Sequence, residues 1–172
     1  MVSPAFAIDQ GVLQRNHDRV SVRPELTFAL VLSRLTPHDN LGLYVENEGP
    51  GLALLDPLSI RFSPTSDEEK HRTAAEELPS LGFAGLGKLV GETYAGLPGP
   101  VIAGSLGALA PGEIACLFGY PKDEVAEDKL RVLSCIFRRV SVDIPYRSVY
   151  ADQRTAVFRG ANWRLDLVFP CP

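Results

Sequence analysis

Along this chain, apolar residues recur at every second position in short runs, and turn-forming residues collect between the runs. Leu26, Phe28, Leu30 and Leu32 alternate, as do Leu41, Leu43 and Val45. So do Leu58, Ile60 and Phe62, then Val140, Val142 and Ile144, and finally Trp163, Leu165, Leu167 and Phe169. A period of two sends alternate side chains to one face of a strand. The breaks carry turn chemistry: Thr36-Pro37-His38-Asp39-Asn40, Asn47-Glu48-Gly49-Pro50-Gly51, Ala110-Pro111-Gly112-Glu113, Ala151-Asp152-Gln153 and Gly160-Ala161-Asn162. The first two runs read as an antiparallel hairpin. Val101–Leu109, Ile114–Phe118 and Ala156–Arg159 are further strand candidates. Eight or nine short strands spaced by turns predict a mainly β, antiparallel sandwich or barrel rather than βαβ repeats.

Helical signals are few. Ser66 and Glu69 form a capping box, which predicts a polar helix to about Leu78, ended by Pro79. Leu81–Tyr94 reads as a glycine-weakened helix or a loop. Asp123 is the expected cap of a helix whose face carries Ala126, Leu130, Leu133, Phe137 and Val140 at spacings of four and three. A strand over 130–137 is the competing reading, because Val132, Ile136 and Phe137 also favour β structure. With 172 residues, one β domain over 1–172 is expected. It has an irregular or helical lead-in at 1–18 and a loop or helix insertion at 63–99.

Two stretches imitate catalytic motifs. Gly82-Phe83-Ala84-Gly85-Leu86-Gly87-Lys88 has P-loop spacing, but Leu89 stands where a Mg²⁺-binding hydroxyl belongs. No buried strand precedes it, so a glycine-rich surface loop is expected. Ala103-Gly104-Ser105-Leu106-Gly107 resembles a nucleophile elbow, yet His17, His38 and His71 all precede Ser105, the reverse of the order such hydrolases use. A serine hydrolase on Ser105 is therefore the third and least favoured reading. Neither a cofactor motif nor a metal-ligand spacing occurs, and Asp67, Glu68, Glu69, Glu76 and Glu77 read as a solvated helix face.

Cys116, Cys135 and Cys171 form no CxxC pair and no disulfide framework. They read as buried or free thiols, with one bridge left open, and this implies a cytoplasmic location. No apolar run reaches the length of a membrane-spanning helix, and nothing reads as a nucleic-acid signature. The net charge of −4 conceals a split: residues 129–172 carry +5 and residues 1–128 carry −9. Arg138, Arg139, Arg147, Arg154, Arg159 and Arg164, interleaved with Tyr146, Tyr150 and Trp163, form a candidate face for phosphates and stacked rings. The competing reading is that these arginines keep edge strands soluble or pair with the acidic insertion.

Three stretches carry a resemblance. Asn16–Pro24 runs into a strand. Leu43–Ala53 has the pattern strand-Asn47-x-Gly49-x-Gly51-x-Ala53, and Val142–Tyr150 the pattern strand-Tyr146, small residue, Tyr150. Together they resemble the immunoglobulin-like β-sandwich domains of uncharacterised bacterial proteins, many of them membrane-anchored. The segments 63–99 and 123–139 depart from a minimal sandwich. The resemblance implies a fold and no catalytic residues. It makes a non-catalytic module that binds a protein partner, or a second copy of itself, the first functional expectation. A sensor of an anionic, nucleotide-like ligand on the basic C-terminal strands is the second. On this reading the chain could equally be the soluble part of a membrane-anchored protein.

Overall fold

A computed structural model describes residues 22–62, 83–93, 96–103 and 106–160. Nine strands lie among them: β1 (Leu26–Val31), β2 (Asn40–Asn47), β3 (Ala53–Leu55), β4 (Ser59–Phe62), β5 (Val101–Ile102), β6 (Ala108–Leu109), β7 (Ile114–Pro121), β8 (Val140–Arg147) and β9 (Gln153–Arg159). Two α-helices accompany them, α1 (Phe83–Thr93) and α2 (Leu130–Arg139), the second entered through a 3-10 turn at Glu127–Lys129. The mainly β, antiparallel expectation holds: every strand pair is antiparallel.

The strands form two sheets. One has the order β1-β2-β7-β5. In the other, β8 is flanked by β9 on one side and by β3 and β4 on the other, with β6 beyond β3. β3 and β4 are two parts of one edge against β8. Leu55 faces Tyr146 and Ser59 faces Asp143, so three residues on one side oppose two on the other. That extra residue is a bulge, and Pro57 sits in it, where no ladder donor is needed. β2 and β7 also slip by one residue between Leu43 and Tyr44.

One core joins the sheets. Leu41, Leu43, Val45 and Phe118 come from the first; Ile60, Val142, Ile144 and Phe158 from the second; Leu133, Ile136 and Phe137 from α2. Ring contacts bridge the layers, Phe28 to Phe158 at 5.7 Å and Phe118 to Phe137 at 6.0 Å between centroids. Over 130–137 the helical reading is the one the chain adopts, with Leu130, Leu133 and Phe137 buried, while Val140 already belongs to β8. Ala126 precedes the 3-10 turn and Lys129 precedes α2, so Asp123 caps neither. Val140 closes α2 and opens β8 with no loop between them.

Two expectations need correction. Phe83–Lys88 is not a surface loop but the first half of α1, so the glycine-weakened helix is the reading of this stretch that holds, with Leu86 and Val90 one turn apart and fully buried. Val101–Leu109 is not one strand: β5 pairs β7 in the first sheet and β6 pairs β3 in the second. The lead-in, the capping box at Ser66, Ser105, Trp163 and the strand expected at 163–169 lie outside the described residues.

Candidate functional site

Three connections meet at one end of the two sheets: 48–52 after β2, 110–113 before β7 and 148–152 between β8 and β9. The register puts them there, because Asn47 pairs Leu26, Ile114 pairs Glu46, Ala53 pairs Leu109 and Leu54 pairs Arg147.

Asn47 holds this end together. Its carboxamide is buried and makes four hydrogen bonds. Nδ2 donates to Gly51 O at 2.7 Å and to Leu109 O at 3.0 Å. Oδ1 accepts from Glu25 N at 3.1 Å and Gly49 N at 3.2 Å. Its backbone N–H donates to Glu113 O and its carbonyl accepts from Gly112 N. One side chain thus ties the approach to β1, the 48–52 connection and β6 of the second sheet. The two glycines of the motif answer to crowding, not to a left-handed backbone. A Cβ on Gly49 would strike Glu25 N and Arg23 O, and one on Gly51 would strike Val22 O. Ala53 is fully buried where β3 meets β6. The Asn-x-Gly-x-Gly-x-Ala pattern is therefore a clasp between the sheets.

Ser148 does the same for the β8–β9 hairpin. Its buried Oγ accepts from Tyr150 N at 3.1 Å and Asp152 N at 3.3 Å. Its backbone closes the turn to Ala151 and Asp152, and Ala151 takes the left-handed position with φ 63°. The hairpin turn therefore centres on 148–152, earlier than the expected Ala151–Gln153. On these pinned connections, apolar side chains face solvent: Leu52 at 37% exposure, Val149 at 57% and Tyr150 at 42%.

The cations expected to form one face are divided. β8 alternates, with Val142, Ile144 and Tyr146 buried and Arg147 exposed. Opposite it, Arg154 pairs Tyr146 on the inward register while Arg147 pairs Gln153 on the outward one. Arg138 and Arg139 close α2 at the far end of β8, roughly 20 Å from Arg147 at about 3.3 Å per residue. Arg159 lies at that far end too, in an ion pair with Asp143 at 2.7 Å. Arg164 and Trp163 lie outside the described residues. A cavity of about 230 Å³ lined by Asp56, Pro145, Tyr146, Gln153, Arg154 and Thr155 touches two of the expected residues.

A second polar group lies on the first sheet. The Tyr44 hydroxyl donates to Asn40 O at 2.9 Å, Cys116 is its register partner, and the His38 ring lies 4.6 Å away, tilted by 39°. Burial, then the neighbouring Cys116 thiol, pushes Tyr44 up to about 12, and burial pushes the Cys116 thiol up. A thiol with a raised pKa is a poor nucleophile, so this trio is packing. Cys116 is free and Cys135 is disulfide-bonded, so the single bridge that the sequence reading left open is formed. Among the described residues, no three metal-binding side chains converge, and no helix is long and apolar enough to cross a membrane.

Sequence reasoning picked out Asn47, Gly49 and Gly51, and Ser148 as the small residue of the late hairpin pattern, but missed Leu52 and Val149. The available signal was an apolar residue placed inside a turn cluster, where burial cannot be the reason for it. Compared with known proteins, the chain matches no family model, no curated protein and no solved structure.

Proposed function

We propose that the chain is a non-catalytic interaction module on an immunoglobulin-like β-sandwich. Lettered in chain order, with β3 and β4 as one strand C and β6 as an added edge, the sheets read A-B-E-D and C-F-G. That order is similar to the constant-type immunoglobulin arrangement, which supports the fold half of the reading. The interaction half rests on one observation. Asn47 and Ser148 commit their side chains to holding connections rigid, while Leu52, Val149 and Tyr150 stand exposed on those connections. Binding residues concentrate on loops held by a rigid scaffold. The Cys135 bridge favours an oxidising compartment, hence the exported part of an anchored protein over a cytoplasmic one.

The test is site-specific photocrosslinking in cells making the protein, with the crosslinker at Tyr150, at Val157 on the outer sheet face, or at Leu35. A defined crosslinked polypeptide from at least one position is expected. None from all three would remove the reading.

The second reading, a sensor of an anionic ligand, draws support from the cavity touching Tyr146 and Arg154. Its volume falls below the ~300–1,000 Å³ of sites for drug-sized ligands, and the register divides the arginines. If nucleotides raise the thermal midpoint and Arg154→Gln abolishes the rise, this second reading takes precedence.

A further inference from the structure

The three connections at the Asn47 end share more than position. Two are tied directly, since Gly112 N donates to Asn47 O at 2.8 Å and Asn47 N to Glu113 O at 3.1 Å. The third is fastened through the pairing of Leu54 with Arg147 and through Ser148. Their composition is one-sided. Residues 48–52, 110–113 and 148–152 contain Glu48, Glu113 and Asp152 and not one Lys or Arg. Glu48 and Glu113 are exposed, and the exposed Arg23 and Arg147 lie outside the three connections. The same connections carry the exposed Leu52, Val149 and Tyr150, and Ile114 is exposed where β7 begins.

We propose that this end docks a basic, apolar protein segment, one in which Lys or Arg alternates with aliphatic or aromatic side chains. The inference deepens the interaction-module reading and rests on it. Exposed apolar surface ringed by polar groups marks an interaction site. Three carboxylates on the connections, with Arg23 and Arg147 only at their borders, favour a cationic partner and raise its encounter rate. Connections already held by hydrogen bonds lose little freedom on binding, so less of the contact energy goes into ordering them.

The experiment selects displayed random peptides of about a dozen residues on the immobilised full chain. The selection is counter-screened on the Leu52→Ser, Val149→Ser, Tyr150→Ser triple variant. These sites are solvent-exposed, and amide spectra check that the fold is kept. Expected are enriched peptides combining Lys or Arg with apolar residues. The synthetic peptide should bind at least about tenfold more weakly to the triple variant and to Glu48→Lys. It should also weaken between about 0.05 and 0.3 M salt. Leu35→Ser, on the connection at the opposite end and 97% exposed, should bind as the parent does.

No enrichment, enrichment of acidic peptides, or equal binding to the triple variant would overturn the proposal. So would self-association in sedimentation that the triple variant abolishes, since that assigns the surface to a second copy. Crosslinks from Val157 alone would sink this docking end and spare the module; silence from every position would remove both.

Discussion

Removing the Asn47 carboxamide strands four backbone groups at once. Gly51 O and Leu109 O lose a donor, and Glu25 N and Gly49 N lose an acceptor. A buried polar group left unsatisfied costs about 1–3 kcal/mol, and water reaching the part-buried Glu25 N returns part of it. Asn47→Ala should therefore destabilise the protein by about 3 kcal/mol in urea denaturation; a loss under about 1 kcal/mol would show that the clasp is dispensable. Tyr44 governs a different variable. Its folded pKa is raised from the ordinary 10.0 to about 12, so the folded state favours the neutral phenol. Stability from that preference is complete below pH 10 and is lost as pH climbs toward 12. Burial raises Cys116 and Tyr120 in the same direction. Denaturation midpoints should fall between pH 9 and 11.5, and Tyr44→Phe should flatten part of that fall. An unchanged slope in the variant would mean that Tyr44 ionises in the folded state as it does in the unfolded one.

α2 is the element on which chemistry and packing coincide. Cys135 is disulfide-bonded on a helix whose Leu133, Ile136 and Phe137 neighbours are core. Unfolded without reductant, the protein should alkylate at Cys116 and not at Cys135, which should react only after reduction. Reduction should also cost about 2–4 kcal/mol of stability. Alkylation of Cys135 without reductant would refute the bridge. Cysteine count could not reveal this, because bonding depends on which elements meet. The same limit explains the rest of what sequence left hidden. β2 and β8 were legible because a buried face imposes alternation. β3, three residues long, has too little sequence to alternate. Val101–Leu109 looked like one strand because local pattern does not say which neighbour each half pairs with. In α1, burying Leu86 and Val90 outweighs glycines that cost about 1 kcal/mol each. The candidate arginine face divided for a related reason: the true turn at 148–152 sets the parity of β9, and parity decides the face.

At the scale of the whole molecule, the two sheets are expected to unfold as one unit. Nothing in the strand order requires this, since each sheet closes its own ladder. It follows from the shared core. Phe158 on β9 meets Phe28 on β1 across the interface, 5.7 Å between centroids, and Phe118 on β7 reaches Phe137 on α2. The Asn47 clasp adds polar links between β2 and β6. A cavity opened at such a contact is therefore felt on both sides. Phe158→Ala should lower stability by about 3–5 kcal/mol. Under native conditions it should accelerate amide exchange in β2 and in β8 by the same factor, because both report one global opening. If the β8 amides alone exchange faster while β2 keeps its protection, the sheets open separately. The end carrying Leu52, Val149 and Tyr150 would then not be held rigid by the fold, because the connection bearing Leu52 leaves one sheet and the hairpin bearing Tyr150 belongs to the other.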